Sequence, residues 1–199
     1  MKIAVLCSGN GSNLQAIIDG VKSGYIPAEI ALVVSDRKDA YALVRAREAG
    51  VYRLALSIGD FKSREDFDRE IMKNLKARGV DLVVLAGYMR LLSPEFIREY
   101  SDRVINIHPA LLPSFKGTHA IRDALKYGVK VTGVTVHFVD EELDNGPVIL
   151  QKAVDIREDD NEETLLERVH KEEHKLYPEA IKLFAEGKLK IDGRRVARQ

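Results

Sequence analysis

Residues 2–13 read KIAVLCSGNGSN, and this stretch predicts the first strand, the first loop and the start of the first helix. Residues 2–6 form a short apolar run with β-branched side chains, which is typical of a buried strand. The loop Gly9-Asn10-Gly11-Ser12-Asn13 follows, and a helical pattern of apolar residues runs from Leu14 to Val21. A polar, glycine-rich loop is therefore expected at the carboxyl end of a strand, where α/β proteins bind ligands.

The alternation of strand and helix continues through the first half of the chain. Further strands are predicted at residues 30–34, 52–56, 82–85 and 104–107, and helices at 40–49, 63–77 and 94–100. Near-continuous apolar strands of this kind predict a mostly parallel sheet that is covered by helices on both faces. With right-handed crossovers, the α/β fold is expected to be doubly wound and Rossmann-like.

The second half of the chain has a different pattern. Long strands are predicted at residues 131–138 and 148–156, a helix at 164–186 with a kink or break at Pro178, and a hairpin at 189–196 around Asp192-Gly193. The segment 110–130 is expected to be a loop. Because no linker separates the halves, we predict a single domain over residues 1–199, with a phosphate- or nucleotide-binding half (1–100) and a catalytic half (101–199).

Composition narrows the classes of partner. The 199 residues contain 31 basic and 31 acidic side chains, so no overall positive charge favours nucleic acid. The single cysteine, Cys7, excludes an internal disulfide and fits a reducing compartment. No apolar run is long enough for a signal peptide or a membrane span, so a cytoplasmic protein is expected.

The N-terminal loop predicts an anion site. Backbone N–H groups at a helix start attract phosphate, and glycines allow its close approach. Leu14 stands where a dinucleotide motif would need a third glycine, and the Gly-Lys-Ser/Thr end of a P-loop is absent. A monophosphate site is the favoured interpretation, and an ordinary tight turn with an Asn or Ser cap is the alternative.

Asn106 and His108 end the fifth predicted strand. Alternation places both side chains on the same side, at the sheet edge where ligands are expected. An amide donor beside an imidazole suits the stabilisation of a developing oxyanion. The alternative is a polar pair that caps the end of a strand.

Several stretches together resemble the phosphoribosylglycinamide formyltransferase family, the folate-dependent enzymes of purine synthesis. The stretches are SGNGSNLQAI, AGYMRLLSPEFI, INIHPALLPSFKGTHA, TGVTVHFVDEELDNGPVI and EEHKLYPEAI, which span residues 8–181. The resemblance implies the formyltransferase fold, with a cis bond at Leu112–Pro113. It also implies transfer of the formyl group of 10-formyltetrahydrofolate, a cosubstrate, to the amine of glycinamide ribonucleotide, without a metal.

The resemblance also implies roles for individual residues. Asn106 and His108 would stabilise the oxyanion, and Asp144 would keep His108 charged and assist proton transfer. The substrate would be bound by Gly11, Ser12, Asn13 and Glu173. The folate would be bound by Arg64, Met89, Arg90, Leu91, Leu92, Asn106 and Asp140, the last within the pterin-contacting loop 140–144.

Other interpretations remain open at this level. Related possibilities are a methionyl-tRNA formyltransferase, for which a basic C-terminal extension would be expected beyond Gln199, and a formyl-folate hydrolase. A third is a non-catalytic nucleotide-binding module. The partners are expected to be small molecules rather than nucleic acid or membrane, with the chain a monomer or a homodimer.

Some single residues allow a second interpretation. Residues 170–174 (HKEEH) have the form of an inverted zinc-protease motif, although a solvated helix face is favoured and no metal is expected. His119 and His137 are expected to pack near the site rather than to act directly. Met89 is either a pocket residue or part of the core.

Overall fold

A central sheet is formed by β1 (Lys2–Cys7), β2 (Glu29–Ser35), β3 (Arg53–Ala55), β4 (Leu82–Leu85), β5 (Val104–His108), β6 (Val131–Phe138) and β7 (Val148–Asp155) in the computed structural model, which describes residues 1–199. The strand order is β3-β2-β1-β4-β5-β6-β7. β1 to β5 are parallel, whereas β6 and β7 pair antiparallel to their neighbours. The predicted mostly parallel α/β sheet is confirmed.

Six α-helices and a terminal hairpin complete the fold. The helices are α1 (Ser12–Lys22), α2 (Tyr41–Glu48), α3 (Arg64–Ala77), α4 (Pro94–Glu99), α5 (Ala120–Tyr127) and α6 (Glu162–Ala185), and the hairpin strands are β8 (Leu189–Asp192) and β9 (Arg195–Arg198). No helix is both long and apolar enough to cross a bilayer.

Alternate residues of β1 belong to two separate apolar layers. Ile3 and Val5 lie in the layer that contains α1 and α6, while Ala4 and Leu6 lie in the layer that contains α3 and α4. Since successive strand side chains point to opposite faces, both faces of the sheet must be covered. The helices cover both faces, as predicted.

Two predictions in the second half are corrected. The segment 110–130 is not a continuous loop, because residues 120–127 form α5; this helix is short and His119 gives it no side-chain cap. The long helix does not break at Pro178, but runs on to Ala185. Pro178 is buried in α6, facing Gly20 of α1, and the apolar contacts on either side of the proline favour continuation of the helix.

The strand order reverses beside β1, which has β2 on one side and β4 on the other. In a doubly wound sheet, the crevice outside the carboxyl ends at such a reversal is the usual ligand site. The loops that follow β1 and β4, and the last residues of β5, therefore lie at one edge of the molecule. The candidate residues were predicted from the sequence to lie at this edge.

Candidate active site

A cavity of about 540 Å³ opens at the carboxyl edge of the sheet. It is lined from the end of β5, from the loops before α4 and after β6, and from the start of α3. The expected residues that line it are Arg64, Met89, Arg90, Leu91, Leu92, Asn106, His108, Asp140 and Asp144. All predicted catalytic and folate-binding residues thus share one cavity, to which both halves of the chain contribute.

Asn106 is oriented by a neighbouring histidine. His137, opposite it on β6, places Nδ1 2.7 Å from its acceptor, the carbonyl of Phe138, so Nδ1 carries the proton. Burial lowers the pKa of His137, although the Phe138 carbonyl and the charge of Asp144 oppose this. The neutral ring therefore presents Nε2 as an acceptor to Nδ2 of Asn106 at 3.3 Å. The second N–H of this amide remains for a ligand.

His108 has an oxygen atom facing each ring nitrogen. Nε2 donates a hydrogen bond to the carbonyl of Phe115 at 2.8 Å. Nδ1 lies 3.5 Å from Oδ2 of Asp144. Both side chains are at most 9% exposed, so solvent screens their interaction little. The proximity of Asp144 and His108 that the resemblance implied is therefore present in the structure.

Asp144 is held in place by its loop and by a second loop. Its backbone has φ of 46°, a left-handed conformation that is uncommon for a residue with a Cβ. Its Oδ2 atom accepts a hydrogen bond from N–H of Gly117 at 2.8 Å, and Oδ1 lies 3.9 Å from Nε2 of His137. One carboxylate therefore lies beside two imidazoles and joins the loops that follow β5 and β6.

The N-terminal loop ends in a helix start without a side-chain cap. Ser63, Ser93 and Asn161 each cap their helices through a side-chain oxygen, but α1 has Gly11 at this position, with φ of 75° and no such bond. The tight-turn alternative with an Asn or Ser cap is therefore not what the structure contains. The free N–H groups at the start of α1 suit an anion.

The same loop is supported by α2. A Cβ atom on Gly11 would lie 2.7 Å from the Cβ of Ala42, so only glycine fits against this helix. Arg45 donates from Nε to the carbonyl of Asn10 at 2.9 Å and from Nη2 to its side-chain oxygen at 3.0 Å. The loop is thus fixed by tight backbone packing and by an arginine.

Glu173 meets the loop from α6. Nδ2 of Asn13 donates to Oε2 of Glu173 at 2.8 Å, and both side chains are buried. Burial raises the pKa of Glu173, while the hydrogen bond from Asn13 and the charges of His170 and His108 lower it. The predicted substrate-binding residues therefore form a second group, beside the main cavity.

The candidate metal motif has a different environment. The rings of His170 and His174 stack with centroids 6.0 Å apart, and Nε2 of His170 lies 3.9 Å from Oε2 of Glu173. The structure contains no cluster of three or more His, Cys, Asp or Glu side chains that could hold a metal ion. Met89 is 63% exposed at the cavity, so it is not a core residue.

Some of the residues around the site are only weakly indicated by the sequence. The strand alternation that pairs Asn106 with His108 also predicts that Thr135 and His137 of β6 share a face, so His137 could have been found. The contacts of Phe115 and Gly117 are made through backbone atoms, which side-chain patterns do not reveal.

The chain is similar to known proteins over its whole length. Residues 1–181 match the formyl transferase family. Phosphoribosylglycinamide formyltransferase of Escherichia coli is 47% identical, with 100% of this chain and 97% of that protein covered. The trifunctional purine biosynthetic protein adenosine-3 of Drosophila melanogaster is 48% identical, but this chain spans only 14% of it.

Solved crystal structures are also similar to this chain. The crystal structure of glycinamide ribonucleotide transformylase 1 from Symbiobacterium toebii has 54% identity and a TM-score of 0.98, with 100% of this chain and 93% of that chain covered. The enzyme of the same name from Geobacillus kaustophilus has 45% identity and a TM-score of 0.90, with coverage of 92% and 98%.

Proposed function

This chain belongs to the formyl transferase family, and we propose that it acts as a phosphoribosylglycinamide formyltransferase of purine biosynthesis. It transfers the formyl group of its cosubstrate, 10-formyltetrahydrofolate, to the amine of glycinamide ribonucleotide. The observation that carries this proposal is the grouping of Asn106, His108 and Asp144 on one cavity, next to an uncapped helix start. The cavity suits a folate and the helix start suits a phosphate.

Binding of the substrate phosphate at Gly11, Ser12 and Asn13 orients the reacting amine. The N–H groups at the start of α1 supply the donors, and the dipole of α1 favours the anion. Glu173, held by Asn13, provides a buried acceptor for the glycinamide end of the substrate. Fixing both ends of the substrate converts attack on the formyl group into an effectively intramolecular step.

The reaction proceeds through a tetrahedral intermediate. The amine nitrogen forms a bond to the formyl carbon, and the carbonyl oxygen becomes an oxyanion. The free N–H of Asn106 donates to this oxyanion, and Nε2 of His108 joins it by exchanging the Phe115 carbonyl for the oxyanion. The bond from the formyl carbon to N10 of the folate then breaks, while a proton moves from the amine to N10 with the assistance of Asp144.

The folate occupies the main cavity in this proposal. Met89, Arg90, Leu91 and Leu92 would surround the pterin ring together with Asp140. Arg64, which also lines the cavity, would bind the tail carboxylates, because guanidinium groups recognise carboxylates well. These roles are supported by the finding that all of these residues line the same cavity.

A cytoplasmic location is part of the proposal. It is supported by the single cysteine, Cys7, which is free and buried. Zero net charge disfavours a nucleic-acid partner. The chain is a monomer or a homodimer.

One assay tests the proposed substrate. Deformylation of 10-formyltetrahydrofolate by the purified chain is followed with glycinamide ribonucleotide, with charged initiator tRNA and with water alone. We expect turnover only with glycinamide ribonucleotide. Equal rates in water would indicate a hydrolase, turnover with tRNA would indicate the tRNA enzyme, and no turnover in any arm would indicate a binding module.

A further inference from the structure

The segment between β4 and α4 forms one wall of the cavity but has few bonds of its own. Arg90, Leu91 and Leu92 make no backbone hydrogen bond within the protein, either as donors or as acceptors. Their N–H and C=O groups are available to a ligand. A segment of this kind binds a ligand with high affinity only if other residues hold both ends of the segment in place.

Buried side chains fix both ends of this segment. At its start, N–H of Met89 donates to Oγ of Ser8 at 2.9 Å. At its end, N–H of Ser93 donates to Oδ2 of Asp68 at 2.6 Å. Ser8 is 4% exposed and Asp68 is 1% exposed. Neither anchor touches the cavity, because neither lines it.

Asp68 is an acidic residue on the buried, apolar face of α3. Phe67, Ile71 and Leu75 around it belong to the apolar layer under the sheet, and a buried carboxylate there is costly unless it is paired. Burial raises the pKa of Asp68, whereas the Ser93 contacts and the charges of Arg64 and Arg90 lower it. The charges of Arg64 and Arg90, which line the cavity, therefore favour the ionised form of this carboxylate.

We propose that Asp68 is a positioning residue for folate binding. Its carboxylate, which does not line the cavity, fixes the Ser93 end of the 89–93 segment. Ser8 fixes the opposite end. This inference rests on the proposed function, since it takes the cavity to be the folate site.

Variants of Asp68 separate its hydrogen bond from its charge. Asp68→Asn keeps an oxygen that accepts from Ser93 but loses the charge, and Asp68→Leu loses both at similar volume. Ser8→Ala removes the other anchor without touching α3. Asp66→Asn is the matched control, because Asp66 is an exposed carboxylate two residues earlier on the same helix.

The dissociation constant for tetrahydrofolate is measured by calorimetry, together with KM for each substrate and with kcat. We expect Asp68→Leu to raise the folate dissociation constant about tenfold or more, the effect of losing a charge-assisted hydrogen bond. Asp68→Asn and Ser8→Ala should each raise it by about threefold to tenfold. For the Asp68 variants, kcat and KM for glycinamide ribonucleotide should stay within about twofold, and Asp66→Asn should match the wild type.

The outcomes distinguish this inference from the proposed function. A folded Asp68→Leu variant with wild-type folate affinity would overturn the positioning role. If Asp68→Leu does not fold, unchanged folate binding by both Asp68→Asn and Ser8→Ala would overturn it instead. Equal losses in kcat, folate binding and substrate binding would indicate a general structural role and would also overturn it. A wild-type chain that binds no folate would refute the proposed function, and this inference with it.

Discussion

Oδ2 of Asp144 lies 3.5 Å from Nδ1 of His108 and at the same time accepts the N–H of Gly117. The carboxylate therefore has two separable tasks. Its charge faces the imidazole, and its hydrogen bond joins the loop after β6 to the loop after β5. Substitutions that remove one task or both give different results.

Replacement of Asp144 by Asn removes the charge but keeps an oxygen for Gly117. We expect kcat to fall by about 100-fold, because a group that assists proton transfer contributes roughly this much. The kcat of Asp144→Ala should fall further, because this variant also loses the hydrogen bond from N–H of Gly117. Steady-state kinetics and the pH–rate profile provide the measurement, and an Asn variant with an unchanged pH–rate profile would count against a role for the charge.

His108 is the second member of this pair. His108→Ala should lower turnover by about 100-fold or more through loss of the oxyanion or acid–base group. The effect should fall on kcat rather than on folate binding, because other residues form most of the cavity wall. Near wild-type turnover in this variant would refute the assignment.

His137 is expected to act through Asn106. His137→Phe keeps the ring volume but removes the acceptor for the Asn106 amide, and we expect kcat to fall about tenfold, as for one lost hydrogen bond. KM for the two substrates should change little. A variant with wild-type kcat would show that the amide needs no such partner.

The pH dependence of stability checks the protonation of His137. Its pKa is lowered in the folded state by burial, so the unfolded chain binds the proton more readily. The free energy of unfolding should therefore fall as pH drops below the unfolded value, near 6.5. His137→Phe should reduce this dependence, as measured by denaturant unfolding of both proteins between about pH 5 and pH 7. Identical pH dependence in the two proteins would contradict a lowered pKa.

Local patterns predicted most of the strands and the edge at which the site lies. The bounds of β4 and β6 were predicted at 82–85 and 131–138, because continuous or alternating apolar residues leave little ambiguity. The helix α5 was missed since it is short and has no side-chain cap at its start. The antiparallel orientation of β6 was not predicted, because pairing between distant strands is set by tertiary packing.

The site was predicted unevenly for a similar reason. Asn106 and His108 follow from the two-residue period of one strand. Asp144 came from the family resemblance alone, because no local pattern relates residues 36 positions apart on different loops. Asp68 was not predicted, since a carboxylate in an amphipathic helix normally indicates the solvated face.

Substitution of Gly11 tests the proposed phosphate-binding role of the loop 9–13. Gly11→Ala would place a Cβ 2.7 Å from the Cβ of Ala42 at a φ of 75°, so the loop must move. We expect KM for glycinamide ribonucleotide to rise about tenfold or more, with a loss of stability of about 1–3 kcal/mol. Gly9→Ala is the control, because a Cβ atom on Gly9 would have no neighbouring atom within 4 Å. Equal effects of both substitutions would argue against a specific role for Gly11.

Glu173→Gln tests whether the buried carboxylate of Glu173 serves substrate binding at a cost in stability. Its pKa is raised by burial, so its stabilising contribution is present below the unfolded value, near 4.3, and is lost as pH rises through the folded value. Glu173→Gln stays neutral and can still accept from Asn13. We therefore expect this variant to have a higher Tm than the wild type at pH 7, with the difference disappearing near pH 4. Its KM for glycinamide ribonucleotide should rise about tenfold, because a neutral acceptor binds the substrate less strongly than a carboxylate. A variant that gains stability without losing substrate affinity would show that the buried charge of Glu173 does not serve binding.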